Sequence, residues 1–195
     1  MAELRRLLER LPEHVTVLLD EALGDFVEAE PPNASLELLD DFPRLLIFRT
    51  FSKAYGLAGM RCGYVLGGPG SEALLEQIGP PLGVSDLAQA GALEALHKLG
   101  RQVEARRGTV ATERARLMEA LAGLPVDAAP SQANVLWLRA PALPDGELSE
   151  RLRRSAVIVH PGNEWGEPDH VRATIQSAPA TDRLIDALKK ATGAP

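Results

Sequence analysis

Hydrophobic positions along the chain follow two alternating periods. Leu4, Leu7, Leu8 and Leu11 mark a helix over residues 3–11, which Pro12 ends. Val15 to Leu19, VTVLL, is a continuous aliphatic run of the length of a buried parallel strand, with Asp20 and Glu21 at its carboxyl end. Residues 24–35 read as a loop from their Pro, Gly and Asn content, 36–42 as a short helix and 45–48 as the next buried strand. Another strand, 64–66, follows after about a dozen residues, which is short for a parallel crossover and fits an antiparallel neighbour. Helix, strand, loop, helix, strand is the alternation of a mostly parallel α/β sheet.

Residues 71–78 look helical after a GGPG turn, and PPLGVSD reads as a loop with Ser85 as N-cap of a helix over 87–99. Gly100 interrupts it, and a long helix follows over 103–121, with Glu104, Arg107, Glu113 and Arg116 among the charges on its outer positions. Past Pro125 the pattern changes to strands at 135–138, 157–160 and 171–175 with a helix at 146–154 between them. A last helix over 181–191 carries Leu184, Ile185 and Leu188 on one face, which makes this part a small α+β lobe. The change of pattern predicts a first domain over residues 1–103 and a second over 104–195.

Composition adds exclusions. With 195 residues, 45% hydrophobic and 25% charged, the chain is that of an ordinary globular protein. A net charge of −6 argues against a nucleic-acid partner, and the arginines from Arg101 to Arg116 alternate with glutamates as on a solvated helix face. One cysteine, Cys62, excludes an internal disulfide and a cysteine-rich zinc site and reads as a small buried strand residue. His14, His97, His160 and His170 show no metal-ligand spacing, so no metal is expected. No apolar run at the start has the length of a signal peptide core or a membrane span, so no membrane partner is expected and the cytoplasm is the default location.

The candidate chemistry lies in Leu45–Leu66, LLIFRTFSKAYGLAGMRCGYVL. Lysine forms a stable imine with an aldehyde, and Lys53 sits between two apolar strands with a hydroxyl beside it at Ser52. Ser52 and the planar fork of Arg61 both suit a phosphate dianion, while Gly56 and Gly59 let the backbone turn and approach a ligand closely. Asp20, at the carboxyl end of a parallel strand where open α/β sheets bind ligands, is placed to pair with a pyridine nitrogen. Together these residues read as a site for pyridoxal 5'-phosphate.

FRTFSKAYGLAGMRCGY closely resembles the lysine segment of histidinol-phosphate aminotransferases, within the class I/II aminotransferases of fold type I. LLDEALGDF is similar to the strand end that bears the pyridine-binding aspartate, LGVSDLAQAGALEAL to the helix that follows, PSQANVLWL to the opening of the small domain and HVRATI to its arginine strand. The resemblance implies part of a fold type I large domain with a mostly parallel sheet, followed by a small α+β carboxyl-terminal domain. It further implies that Lys53 holds the cofactor through an imine and moves the proton at the substrate's α carbon. By the same resemblance Asp20 pairs with the ring nitrogen, Ser52 and Arg61 bind the phosphate, and Arg172 grips the substrate carboxylate. The implied reaction moves an amino group between an amino acid, of histidinol-phosphate or aromatic type, and a 2-oxo acid, in a homodimer.

Three departures qualify that expectation. Leu23 stands where the family usually has a tyrosine donating to the cofactor's phenolic oxygen, a loss of about 0.5–1.5 kcal/mol. His160 stands where the subfamily often has an arginine for the substrate phosphate, and is a weaker anion ligand. The chain also starts near the middle of the family's length, so the expectation is an incomplete enzyme with little activity alone. The alternatives are an inactive fragment serving as an interaction module, and a decarboxylase of the same fold acting on a phosphorylated amino acid.

Overall fold

The computed structural model describes residues 1–79 and 83–194; Pro80, Pro81 and Leu82, with which the expected PPLGVSD loop begins, lie outside the described residues. The chain divides into two units, Met1–Ala105 and Arg106–Pro195.

The first unit opens with helix α1 (Ala2–Arg10) and the parallel strands β1 (Val17–Asp20) and β2 (Leu45–Thr50), which pair from Val17↔Leu45 to Asp20↔Phe48. Strand β3 (Gly63–Gly67) then returns antiparallel to β2, as the short connection predicts, giving the order β1-β2-β3. Leu45, Leu46 and Ile47 of β2 are fully buried. On one face Leu45 and Ile47 join Leu8 of α1 with Leu38 and Leu39 in an apolar cluster. Gly63 is required where β3 begins, because a Cβ there would lie 2.6 Å from the Arg49 carbonyl oxygen.

Helix α2 (Glu72–Ile78) follows, and then α3 (Asp86–Lys98), whose first turn is capped by Ser85 Oγ accepting from the Ala88 amide at 3.3 Å. The small residues Ala88 and Ala92 of α3 pack against Phe51 and Cys62, flanked by Tyr55, Met60 and Tyr64. This alanine face lies under the loop that carries Lys53.

Two expectations for this unit are corrected. Residues 36–42 form no α-helix; a 3₁₀ turn over Ala34–Leu38 follows Asn33, whose φ of 65° is left-handed, so the chain tightens before an α-helix can nucleate. The run Val15–Leu19 is not a fully buried strand: β1 starts at Val17, alternates in burial and leaves Leu18 60% exposed, because β1 is an edge of the sheet.

Helix α4 (Gly100–Leu121) is longer than the pattern predicts, starting at Gly100 directly after the Leu99 cap of α3. In the second unit the strands β4 (Asp127–Ala128), β5 (Val135–Arg139), β6 (His160–Pro161) and β7 (His170–Thr174) form an antiparallel sheet in the order β4-β5-β7-β6. Leu136 and Leu138 of β5 and Val171 and Ala173 of β7 are buried and alternate with the residues of the opposite face. Helices α5 (Glu147–Arg154) and α6 (Ala178–Thr192) bury Leu148, Leu152, Leu184 and Leu188, with α5 against both β7 and α6.

Here too the sequence pattern needs correction. The strand expected over 157–160 shrinks to His160–Pro161, since only these two residues pair with β7, and Ala156 turns the chain with a left-handed φ of 58°. Strand β4 was not expected; two residues are too short to leave a period. Glu113 and Arg114 are buried instead of solvated: Glu113 accepts from Arg116 Nη2 at 2.6 Å, and Arg114 Nη1 donates to the carbonyls of Gln132 and Ala133 at 2.7 and 3.1 Å.

Hydrogen bonds from Arg116 and Thr181 hold the Glu113 carboxyl below the usual glutamate range. A depressed folded pKa gives stability that is present above the unfolded pKa, about 4.3, and is lost as pH falls through the folded value. Glu113→Gln is therefore expected to lower the urea midpoint at pH 7, with the gap from the parent protein closing as pH is taken from 5 towards 3. A gap of equal size at both ends of that range counts against the charge.

Candidate active-site residues

In the first unit the parallel pair β1–β2 brings its carboxyl ends together, and the sequence-predicted residues gather at that edge. Asp20, the last residue of β1, sits beside Phe48, accepts the Ala22 amide on Oδ1 at 2.8 Å and is exposed. Among the described residues that is its carboxylate's one hydrogen bond. It lines a cleft of about 280 Å³ with Leu18, Ala22, Phe48, Arg49 and Thr50.

Beyond β2 the chain is pinned twice. The Phe51 amide donates to the Cys62 carbonyl at 3.2 Å, and the Leu57 amide donates back to the Phe51 carbonyl at 2.9 Å. Ser52 to Gly56 therefore project as a closed loop, finished by the Gly56 amide on the Lys53 carbonyl at 3.0 Å, with Gly56 at a φ of 75°. Ser52 is half-buried and its amide is held by Thr50 Oγ1 at 3.0 Å. Lys53 is exposed and makes no side-chain bond among the described residues. Arg61 follows a 3₁₀ turn (Ala58–Met60) in a left-handed conformation and donates through Nη1 to the Ala58 carbonyl at 2.9 Å. Ser52 and Arg61 are thus each one residue beyond the Phe51–Cys62 bond, which puts the hydroxyl and the guanidinium on adjoining backbone.

Glu21 has a different role from that of an acid available for chemistry. Its Oε2 accepts Arg49 Nε at 2.9 Å and Nη2 at 2.8 Å, and Arg49 Nη1 reaches Asn33 Oδ1 at 2.6 Å. The pair ties the end of β1 to the end of β2, close to Asp20 on one strand and Ser52 on the other. Burial raises the pKa of Tyr55 in the Lys53 loop, and the charge of Asp25 raises it further, so its phenol stays a hydrogen-bond donor. Leu23 is half-buried just before a 3₁₀ turn (Gly24–Phe26) and brings no polar atom to the Asp20 edge.

In the second unit Arg172 lies between Trp137 and His160, its partners in register on β5 and β6, so the three share the sheet face opposite the core. Its Cζ sits 4.9 Å from the Trp165 ring centroid, over the ring. Arg172 is half-buried, its guanidinium makes no hydrogen bond or ion pair among the described residues, and it lines a pocket of about 430 Å³ with His160, Ile158, Thr174 and Arg183. His160 Nε2 lies 3.1 Å from Glu164 Oε2, and its ring is 4.9 Å from that of Trp165. The sequence pattern pointed to Arg172 and His160 and missed both tryptophans; Trp137 alternates with buried leucines, a visible signal for the open face, whereas Trp165 sits in a turn with no period.

Among the described residues no group of three or more His, Cys, Asp and Glu could hold a metal ion, and no helix is long and apolar enough to cross a membrane.

The family profile described as "Aminotransferase class I and II" matches residues 1–188. An aromatic amino acid aminotransferase of Corynebacterium efficiens is 40% identical over 180 residues, covering 92% of this chain and 49% of the relative. A histidinol-phosphate aminotransferase of Symbiobacterium thermophilum is 38% identical over 192 residues, covering 98% of this chain and 52% of the relative. The crystal structure of histidinol-phosphate aminotransferase from Sinorhizobium meliloti in complex with pyridoxal-5'-phosphate superposes with a TM-score of 0.79 at 27% identity, covering 97% of this chain and 53% of that one. The chain spans about half the length of the relatives it matches. With the α/β fold and the lysine segment both in place over nearly its whole length, the chain belongs to the class I and II aminotransferases.

Proposed function

We propose that this chain carries the cofactor lysine and the carboxylate grip of a pyridoxal-phosphate-dependent aminotransferase, one that moves an amino group between an aromatic amino acid and a 2-oxo acid. The main support is the shared carboxyl edge of β1 and β2, where Asp20 has one oxygen uncommitted and Lys53 a free amine. The donor set fits the cofactor: an amine for its aldehyde, a carboxylate for its pyridine nitrogen, and a hydroxyl next to a guanidinium for its phosphate. When bound, pyridoxal phosphate supplies an electron sink for bond breaking at the substrate's α carbon. Lys53 Nζ takes up and returns the proton at that carbon, which requires it to be uncharged for part of the cycle. Asp20 keeps a proton on the ring nitrogen, and Ser52 with Arg61 fixes the phosphate by charge-assisted hydrogen bonds. Arg172, unpaired in its pocket, offers a planar fork to the substrate carboxylate.

His160 favours an aromatic substrate over histidinol phosphate. Its Nε2 is engaged by Glu164, and that carboxylate repels a phosphate dianion brought to the same place. The repulsion weighs equally against a decarboxylase of phosphorylated amino acids. The name of the Corynebacterium relative agrees with this preference. The assembly implied by the resemblance is a homodimer.

Adding pyridoxal phosphate, reducing with borohydride and mapping the modified residue is expected to place the label on Lys53 and to lose it in Lys53→Ala. Asp20→Asn is expected to weaken cofactor retention by about tenfold, the worth of one charge-assisted bond. Label scattered over surface lysines would mean that the chain is only an interaction module. A second expectation concerns rate. Phenylalanine with 2-oxoglutarate, followed as phenylpyruvate formed, is expected to turn over on this chain alone at least about a hundredfold more slowly than on a relative of full length, since catalysis depends on a complete preorganised site. Comparable turnover would show that these residues suffice.

A further inference from the structure

Arg172 differs from the well-held arginines of the second unit in what holds it; Arg114 is fixed by the Gln132 and Ala133 carbonyls. Arg116, Arg139, Arg151, Arg153 and Arg154 each meet a carboxylate. Arg172 meets none, although Glu164, Glu167 and Asp169 all lie within eight residues of it in the chain. Each of the three is engaged elsewhere. Glu164 is bonded to His160 Nε2, Glu167 accepts the Trp137 indole N–H, and Asp169 takes Arg139 Nε at 2.6 Å and His170 Nδ1 at 2.8 Å. What remains against the Arg172 guanidinium is the face of Trp165.

Trp165 is itself fixed. Its ring stands edge-on to Trp137, 5.4 Å between centroids at 82°, and tilted against His160 on another side. Trp137 in turn stacks on His170 at 5.5 Å and 13°. The turn that delivers Trp165 closes through the Glu167 amide on the Gly162 carbonyl at 3.1 Å, and a Cβ on Gly162 would lie 2.2 Å from the Glu167 carbonyl oxygen. A side chain at that glycine would push the turn off the sheet.

The geometry points to Trp165 as the positioning residue for Arg172: the indole holds the guanidinium by its face, so that the N–H edge is presented, unneutralised, to a monocarboxylate. This deepens the reading of Arg172 given above and rests on it. An indole ring offers the guanidinium its π face and no lone-pair acceptor, so the contact leaves the N–H donors uncommitted to any carboxylate. A carboxylate in the place of Trp165 would hold the arginine as firmly but would occupy those donors and cancel the charge. An aromatic face attracts the cation without competing for its hydrogen bonds, and the restricted side chain has less freedom to lose on binding.

The test uses the whole chain and 3-phenylpropionate as probe, with the Arg172 Nε–Hε resonance followed by NMR. In the parent protein that resonance is expected to lie upfield, in the ring current of Trp165, and to shift on titration. Trp165→Leu should abolish the upfield offset and weaken binding by about three- to tenfold, and Trp165→Phe should recover most of both. Trp165 is 48% exposed, so neither change opens the core, which far-ultraviolet circular dichroism checks. If Arg172→Leu binds the probe as well as the parent, or the parent binds none, the reading of Arg172 falls and this inference with it. If Arg172→Leu weakens binding while Trp165→Leu does not, or Trp165→Phe is as weak as Trp165→Leu, the inference alone is overturned.

Discussion

The hydrogen bond from the Phe51 amide to the Cys62 carbonyl is the point on which the loop carrying Ser52, Lys53 and Arg61 depends. It continues the β2–β3 ladder one step past the last strand pair, Thr50↔Gly63, so the chain between the two residues has to form a loop instead of a crossover. Ser52, Lys53 and Arg61 are consequences of that closure. The loop has a solid floor because Phe51 and Cys62 rest on the alanine face of α3, where small side chains allow close approach. Glu21 and Arg49 act at the other end of the same edge, joining β1 to β2 by a bridge whose side chains are only 16% and 20% exposed. A pair shielded to that extent is less screened by solvent than a surface pair.

The second unit solves a different problem. Its sheet has one face covered by apolar residues and one face that is polar and aromatic, the division expected of an antiparallel sheet. On the open face a row of register partners, Trp137, Arg172 and His160, sets a cation between two rings. The carboxylates of the connecting turn are each drawn to a ring nitrogen or to Arg139, which leaves Arg172 charged and without an anion. An uncompensated half-buried cation is costly unless an anionic ligand or an aromatic face attends it, and here the face is present.

Much of this was legible in the amino-acid sequence because it depends on short-range patterns. The aliphatic run ending at Asp20, the antiparallel return after Lys53 and the Ser85 cap all follow from local periods and turn residues, and three segments resembled the family closely enough to nominate Ser52, Lys53 and Arg61 from the lysine segment, Asp20 from LLDEALGDF and Arg172 from HVRATI. What misled was also local. Glu113 and Arg114 look like solvated helix charges because helical spacing says which residues share a face and not what that face meets. Val157 to Val159 look like a strand, but a strand exists only where a neighbour pairs with it, and β7 pairs with His160 and Pro161 alone.

By itself, then, the sequence determined the main strands and helices of both units, the family and the residue types nominated for the carboxyl edge, since these depend on side-chain type and on spacing over a few residues. Only the tertiary structure decided which charges are free. Glu21 and Asp20 are neighbours with the same chemistry, yet Arg49 occupies one and leaves the other open, because successive strand residues point to opposite faces and the arginine comes from β2. In the same way Arg172 is left without an anion because His160, Trp137, Arg139 and His170 engage the carboxylates of the turn, while the Trp165 ring, which no period along the chain announces, lies against it.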